Sequence, residues 1–217
     1  MAVLPLVAAP TEAELEFDRQ VDALVQTGLP EQLELADQCF RAFLEPLRDE
    51  LPAGRAHNGD RIPFVVVVPD LPVVDVLSTV HMVGGTGFTT MEPEDLARFR
   101  PLPELEVPTT PYLLLDVDPG PDTFDLPPAE ALPRITAARR SPLTLAEGIS
   151  VLVSDPGVLR SRNCFSLLGS RAGDKRVPAL WVSGRRPRLG WCYQGAPHTW
   201  LGSASCGGRV AEPARPV

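Results

Sequence analysis

With 217 residues, 44% of them hydrophobic, and a mean hydropathy of +0.01, the chain has the composition of one sizeable soluble domain or two small ones. Its net charge of -8 argues against nonspecific DNA binding, and its longest aliphatic run, Phe64 to Val68, is far too short to span a membrane. Its 25 prolines, about twice the usual share of roughly 5%, predict short elements joined by stiff connections.

Residues 1–10 are apolar but carry no basic segment before Glu12, so they read as a flexible N-terminus rather than a secretory signal. The chain is therefore expected in the cytoplasm, with its thiols reduced. Thr11 with Glu14 is a capping box that opens an amphipathic helix to Gln26, with Phe17, Val21, Leu24 and Val25 on one face. Pro30 predicts a second helix to about Leu47, with Phe40, Phe43, Leu44 and Leu47 inward and Cys39 as a core thiol beside them. Residues 11–50 thus form an acidic helical hairpin.

Residues 52–62 are a polar loop containing His57, and Phe64 to Val68 is a buried strand. Val73 to Met82 fits helix or strand equally. The Gly84–Gly87 run lacks the lysine and hydroxyl of a phosphate loop and reads as a turn; Pro93 to Phe99 is a short helix. Tyr112 to Val117 is a second strand, with Asp116 and Asp118 on one side of its end; the acidic spacing that follows does not fit a calcium loop. Thr144 and Glu147 form another capping box, opening a helix to Val153, and Asp155-Pro156 starts a short turn. Three strands follow at 164–169, 177–182 and 188–192, forming an antiparallel meander, and residues 208–217 read as a flexible tail.

The fold expected is α+β: one domain over 11–207, with the helical hairpin and short helices packed on a small, mainly antiparallel sheet. Charge divides this domain. Residues 1–133 hold seven Arg against 24 Asp and Glu, whereas 134–217 hold 13 Arg and Lys against four acids. An acidic part (62–133) and a basic, β-rich part (134–207) can dock on each other. The basic residues fall on two turns at opposite ends of the meander, which disfavours a continuous nucleic-acid groove.

Between Cys164 and Cys206 lie three of the four cysteines and all three tryptophans. The segments Cys164–Arg171, Gly173–Trp181 and Pro197–Cys206 resemble an uncharacterised family of high-GC bacterial proteins catalogued as a domain of unknown function. The resemblance runs from the Glu16–Gln20 region to Cys206 and implies no activity.

The thiol-rich region supports three chemistries. Cys164, Cys192, His198 and Cys206 supply a Cys₃His zinc set without the close cysteine pair of a knuckle. In a simple meander Cys164 and Cys192 lie on the order of 15–20 Å apart, which leaves a catalytic-type set of Cys192, His198 and Cys206. Alternatively, Cys206 in the Gly202–Gly208 loop is a nucleophile with His198 as its base and Asp174 as an orienting partner. The third possibility is that the thiols pack against Trp181, Trp191 and Trp200.

Arg171, Asp174, Lys175 and Arg176 crowd one turn and can form an anion nest, with Trp200, Ser203 and Ser205 beside it; Trp181, inside a strand, reads as core. The sequence therefore favours binding of a small anionic ligand at a Cys/His/Trp-rich C-terminal pocket, with or without zinc. The alternatives are an enzyme using the Cys192/His198/Cys206 zinc centre or the Cys206–His198 pair, and an adaptor docking through its acidic helices. Oligomeric state is not legible.

Overall fold

The computed structural model describes residues 9–53 and 60–212. Expectations for His57, for most of the N-terminal segment and for residues 213–217 lie outside the described residues.

Helix α1 (Glu12–Gln26) starts where the sequence places it. The Glu14 N–H donates to Thr11 Oγ1 at 3.2 Å, and the Thr11 N–H donates to Glu14 Oε2 at 2.6 Å. Phe17, Val21 and Leu24 are buried, and Gln20 is buried with them. The second helix is broken, contrary to expectation. α2 (Leu29–Gln32) is followed by Glu34 in the left-handed region (φ 56°), and the chain resumes as α3 (Asp37–Leu44) and a 3-10 turn, Glu45–Glu50. The restart rotates the inward stripe to Phe40, Leu44 and Leu47. Phe43 is half exposed, and Cys39 faces solvent instead of the core.

Strand β1 (Ile62–Val67) follows, then α4 (Val73–Thr79), which resolves the ambiguous segment as a helix. Three two-residue strands come next: β2 (His81–Met82), β3 (Gly85–Thr86) and β4 (Phe88–Thr89); the glycine run is the turn of the β2/β3 hairpin. Helix α5 (Pro93–Leu96) is shorter than expected and leads into β5 (Arg100–Pro101) and β6 (Tyr112–Val117). At the end of β6, Arg61 ion-pairs with Asp116 and Asp118 at 3.2 Å each, and Arg140 pairs with Asp116 as well. Those two carboxylates are held by guanidinium groups.

α6 (Pro128–Ala137) and β7 (Ser141–Pro142) precede α7 (Leu145–Ser154). Its capping box forms as expected, and every residue of α7 except Ala146 is buried, as an apolar helix must be when neighbours surround it. It packs on α1, α4 and β1. The remaining strands are β8 (Cys164–Ser166), β9 (Ser170–Arg171), β10 (Arg176–Ser183), β11 (Arg186–Tyr193), β12 (Leu201–Ser203), β13 (Ser205–Cys206) and β14 (Gly208–Ala211).

Two sheets dominate. One has the order β1-β6-β14, all antiparallel, so Gly208–Ala211 is a paired strand and not a loose tail. Its edge strand β1 is closed by α1: Gln20 Nε2 donates to Phe64 O at 3.0 Å, and the Val66 N–H donates to Gln20 Oε1 at 2.9 Å. One side chain thus substitutes for a neighbouring strand, a device that keeps an edge from pairing with other chains. The other sheet has the order β12-β8-β10-β11-β4, with the expected meander at its centre and parallel strands at both margins. With 35% helix and 28% strand, mostly antiparallel, the fold is α+β. Among the described residues no helix is long and apolar enough to cross a membrane.

Candidate functional site

Cross-strand partners project from the same face of a sheet. In the β10/β11 hairpin the pairs Val177–Cys192, Ala179–Gly190 and Trp181–Arg188 therefore share one face. Ala179 and Gly190 leave a depression there, and the Trp181 ring lies across Gly190: a Cβ at that glycine would come within 2.2 Å of the ring. The segment after β11 closes the depression. Gln194 O accepts from the Ala129 N–H at 2.9 Å, His198 O accepts from the Asp125 N–H at 3.0 Å, and Trp200 O accepts from the Cys164 N–H at 3.0 Å. These anchors set the His198 and Trp200 rings 5.3 Å apart. The result is a cleft of about 280 Å³ bordered by Trp181, Trp191, Cys192, Tyr193, His198 and Trp200. Trp191 and Tyr193 remain 45% and 47% exposed, an unusual state for large aromatic side chains. Trp181, read from sequence as core, is part of this surface.

The thiols do not converge. The register pairs Phe165 with Leu180 and Cys192 with Val177. Cys164 thus lies about four residues along β10 from Cys192, on the order of 13 Å at roughly 3.3 Å per residue. Its Sγ donates to Arg160 O at 3.1 Å. Cys206 is also removed from the cleft. Leu201–Ser203 lies beside β8 and Ser205–Cys206 beside β7, in a different sheet, so the chain leaves the cleft before it reaches Cys206. Among the described residues no group of three or more His, Cys, Asp or Glu is placed to hold a metal ion. The Cys192/His198/Cys206 centre and the Cys206–His198 pair both required one common point. Cys206 does not border the cleft that holds Cys192 and His198.

The expected Gly202–Gly208 loop is itself strand. Gly202 is there because backbone passes over it: a Cβ would come within 2.2 Å of Gly120 O. Ser203 and Ser205 are buried and engaged: Ser203 Oγ lies 3.1 Å from Ser166 Oγ, and Ser205 Oγ accepts from Arg140 Nε at 2.8 Å. Neither borders the cleft. Burial pushes the Cys192 and Cys206 thiols up to about 11, so both stay protonated at neutral pH.

The basic turn is also occupied. Arg171 Nη1 donates to Leu168 O at 2.7 Å and Ser170 O at 2.9 Å, and burial lowers its pKa. Arg176 pairs with Asp95 at 2.8 Å and with Asp174 at 3.0 Å, and Asp174 also pairs with Arg98 at 3.3 Å. The hydrogen bonds from Arg176 hold the Asp174 carboxyl below its ordinary range. Arg176, Asp174, Asp95 and Arg98 thus form an ion-pair network at this turn, while Arg171 is bonded to backbone carbonyls. Lys175 stands apart from it, with Nζ 6.0 Å from the Tyr193 ring centroid at the border of the cleft.

The sequence reading missed two features. Arg188 appeared only as part of a basic turn, yet it borders a second cleft adjoining the first. Glu147 appeared only as a helix cap. It is fully buried and accepts from Arg209 Nε at 2.5 Å, Arg209 Nη2 at 2.8 Å, Tyr112 Oη at 2.9 Å and the Thr144 N–H at 2.7 Å. Desolvation and the neighbouring carboxylate raise the Tyr112 pKa, so its hydroxyl stays a donor. Only the polar type of Arg209, sixty-two residues further on, could have announced this pairing.

The profile of a family of unknown function, DUF5701, matches residues 23–212, and the chain belongs to that family. No curated protein and no solved structure matches it.

Proposed function

We propose that this member of the family is a cytoplasmic binding protein for a small anionic molecule carrying a flat ring, held in the tryptophan cleft. One observation carries the reading: all three tryptophans of the chain border one recess together with Tyr193 and His198. Rings so arranged offer offset stacking worth about 0.5–1.5 kcal/mol per pair beyond area burial, and the volume is near that of small-ligand pockets. Cys192 contributes a neutral, soft floor. Lys175 at the border supports the preference for negative charge, and the four free thiols support a reducing compartment.

The zinc and nucleophile versions receive no support from the positions of Cys206 and His198. Docking through the helices receives less support than the cleft, because Asp18, Asp22 and Glu45 are already paired with Arg48 and Arg41. Nucleic acid is disfavoured by the length of the β10/β11 hairpin, which keeps the Arg171–Arg176 and Arg185–Arg188 regions at opposite ends.

Titration with a panel of fused-ring acids, followed by tryptophan fluorescence, tests the proposal. Saturable quenching is expected, weakened at least about tenfold in Trp200→Ala, whose side chain lies outside the strands. No saturable response to any member, or an unchanged response in that variant, removes the proposal.

A further inference from the structure

The acid group of such a ligand needs a cation, and at the basic turn Arg176 is already paired with acids and Arg171 with backbone carbonyls. Arg188 is different. Its guanidinium carbon lies 5.2 Å from the Trp181 ring centroid and 5.7 Å from that of Phe88, and Nη2 donates to Thr90 Oγ1 at 3.0 Å. Among the described residues it has no carboxylate partner, and its Nε is buried without a hydrogen-bond partner. A buried N–H of that kind is a cost that native structures rarely carry without a compensating role.

Arg188 borders a cleft of about 370 Å³ that shares Trp181 and Trp191 with the aromatic cleft, so the two recesses adjoin at these two side chains. Of the two acids bordering the second cleft, Asp95 is taken up by Arg176, and Glu92 lies exposed at its rim. Gly190, with no side chain, leaves the space that the Trp181 ring occupies where the two recesses adjoin.

The geometry points to a bipartite site for aryl carboxylates: the ring sits among Trp181, His198 and Trp200, and the carboxylate is bound by Arg188. This inference rests on the proposed cleft function and deepens it by naming the ligand class and the residue that selects it. A planar guanidinium held by two aromatic rings and Thr90 is preorganised for the fork-like hydrogen bonds a carboxylate accepts. A ring of one or two fused cycles with its carboxylate attached directly has the right span, because the cation lies 5.2 Å from the ring it would stack near.

Calorimetric titration with indole-3-carboxylate and its uncharged carboxamide separates the two claims. Wild type is expected to bind the acid at least about tenfold more tightly than the amide. Arg188→Gln, with folding checked by circular dichroism, is expected to bind both equally, at the level of the amide. If Arg188→Gln keeps the preference, or wild type binds the amide as well as the acid, the Arg188 seat is wrong while ring binding stands. If neither compound binds wild type, both claims fall. Should Arg188→Gln not fold, Thr90→Val releases the guanidinium and is expected to weaken acid binding several-fold with amide binding unchanged; equal acid affinities in wild type and Thr90→Val then overturn the assignment.

Discussion

Replacing Arg209 by Met keeps most of the side chain's length and removes its charge from beside Glu147. Glu147 is fully buried and loses two of its four donors, keeping Tyr112 Oη and the Thr144 N–H. Breaking one side of a buried pair in this way costs about 3–5 kcal/mol, far more than losing an exposed pair. Arg209 Nη1 also donates to Ser141 Oγ at 2.6 Å and Nη2 to Pro142 O at 3.1 Å, so the attachment of β14 to β7 weakens with it. With a urea dependence of about 2 kcal/mol/M, the unfolding midpoint is expected to fall by roughly 2 M. The triple replacement Glu147→Leu, Arg209→Met and Tyr112→Phe removes all three polar side chains together and is expected to recover most of the loss, because no charge is left stranded. Urea unfolding followed by far-ultraviolet circular dichroism measures both. A shift for Arg209→Met below about 0.5 M would refute the reasoning and show that Glu147 is solvated or re-paired without Arg209.

Three further outcomes follow from the geometry. Native protein at pH 7.5 is expected to expose one rapidly reacting thiol to a disulfide reagent, Cys39, and four after denaturation; fast reaction at Cys206 in a Cys39→Ser variant contradicts its burial. Because the folded-state pKa of Cys192 and Cys206 is raised from 9.0 to about 11, the folded state retains the protons longer, and stability present below pH 9 is lost as pH rises to about 11. The decline is expected to be shallower in Cys206→Ala; parallel pH curves for the two proteins count against it. Gln20→Leu leaves Phe64 O and the Val66 N–H unpaired at the β1 edge and is expected to cost about 1–3 kcal/mol in denaturant titration; a neutral result would mean that the edge is satisfied in another way.

The elements legible in the sequence are those decided locally. Both capping boxes form, and the strand Tyr112–Val117 has the bounds expected, because hydrophobic pattern and side-chain caps act within a few residues. The break at Glu34 was not legible: it depends on a left-handed residue with no glycine or proline to mark it. Pairings over long distances were equally hidden. Gly208–Ala211 looks like a tail until β6 is placed beside it, and Leu201–Ser203 looks like a loop until it lies parallel to β8. The site divides in the same way. The concentration of tryptophan and His198 located the cleft, since rings close in sequence on a hairpin and its following segment stay close in space. The thiols carried less information, because which of them border the cleft depends on long-range strand pairing: Cys192 does, whereas Cys206 pairs with Ser141 in β7.

The central claim, that the tryptophan cleft binds ring-bearing acids, is tested most directly by the three indole N–H resonances of ¹⁵N-labelled protein during titration with indole-3-carboxylate. The account predicts concentration-dependent shifts of the Trp181 and Trp200 signals, with the backbone amides of α1 and β1 unmoved. Indole signals that stay fixed while protein resonances elsewhere respond, or a spectrum that does not respond at all, would contradict it.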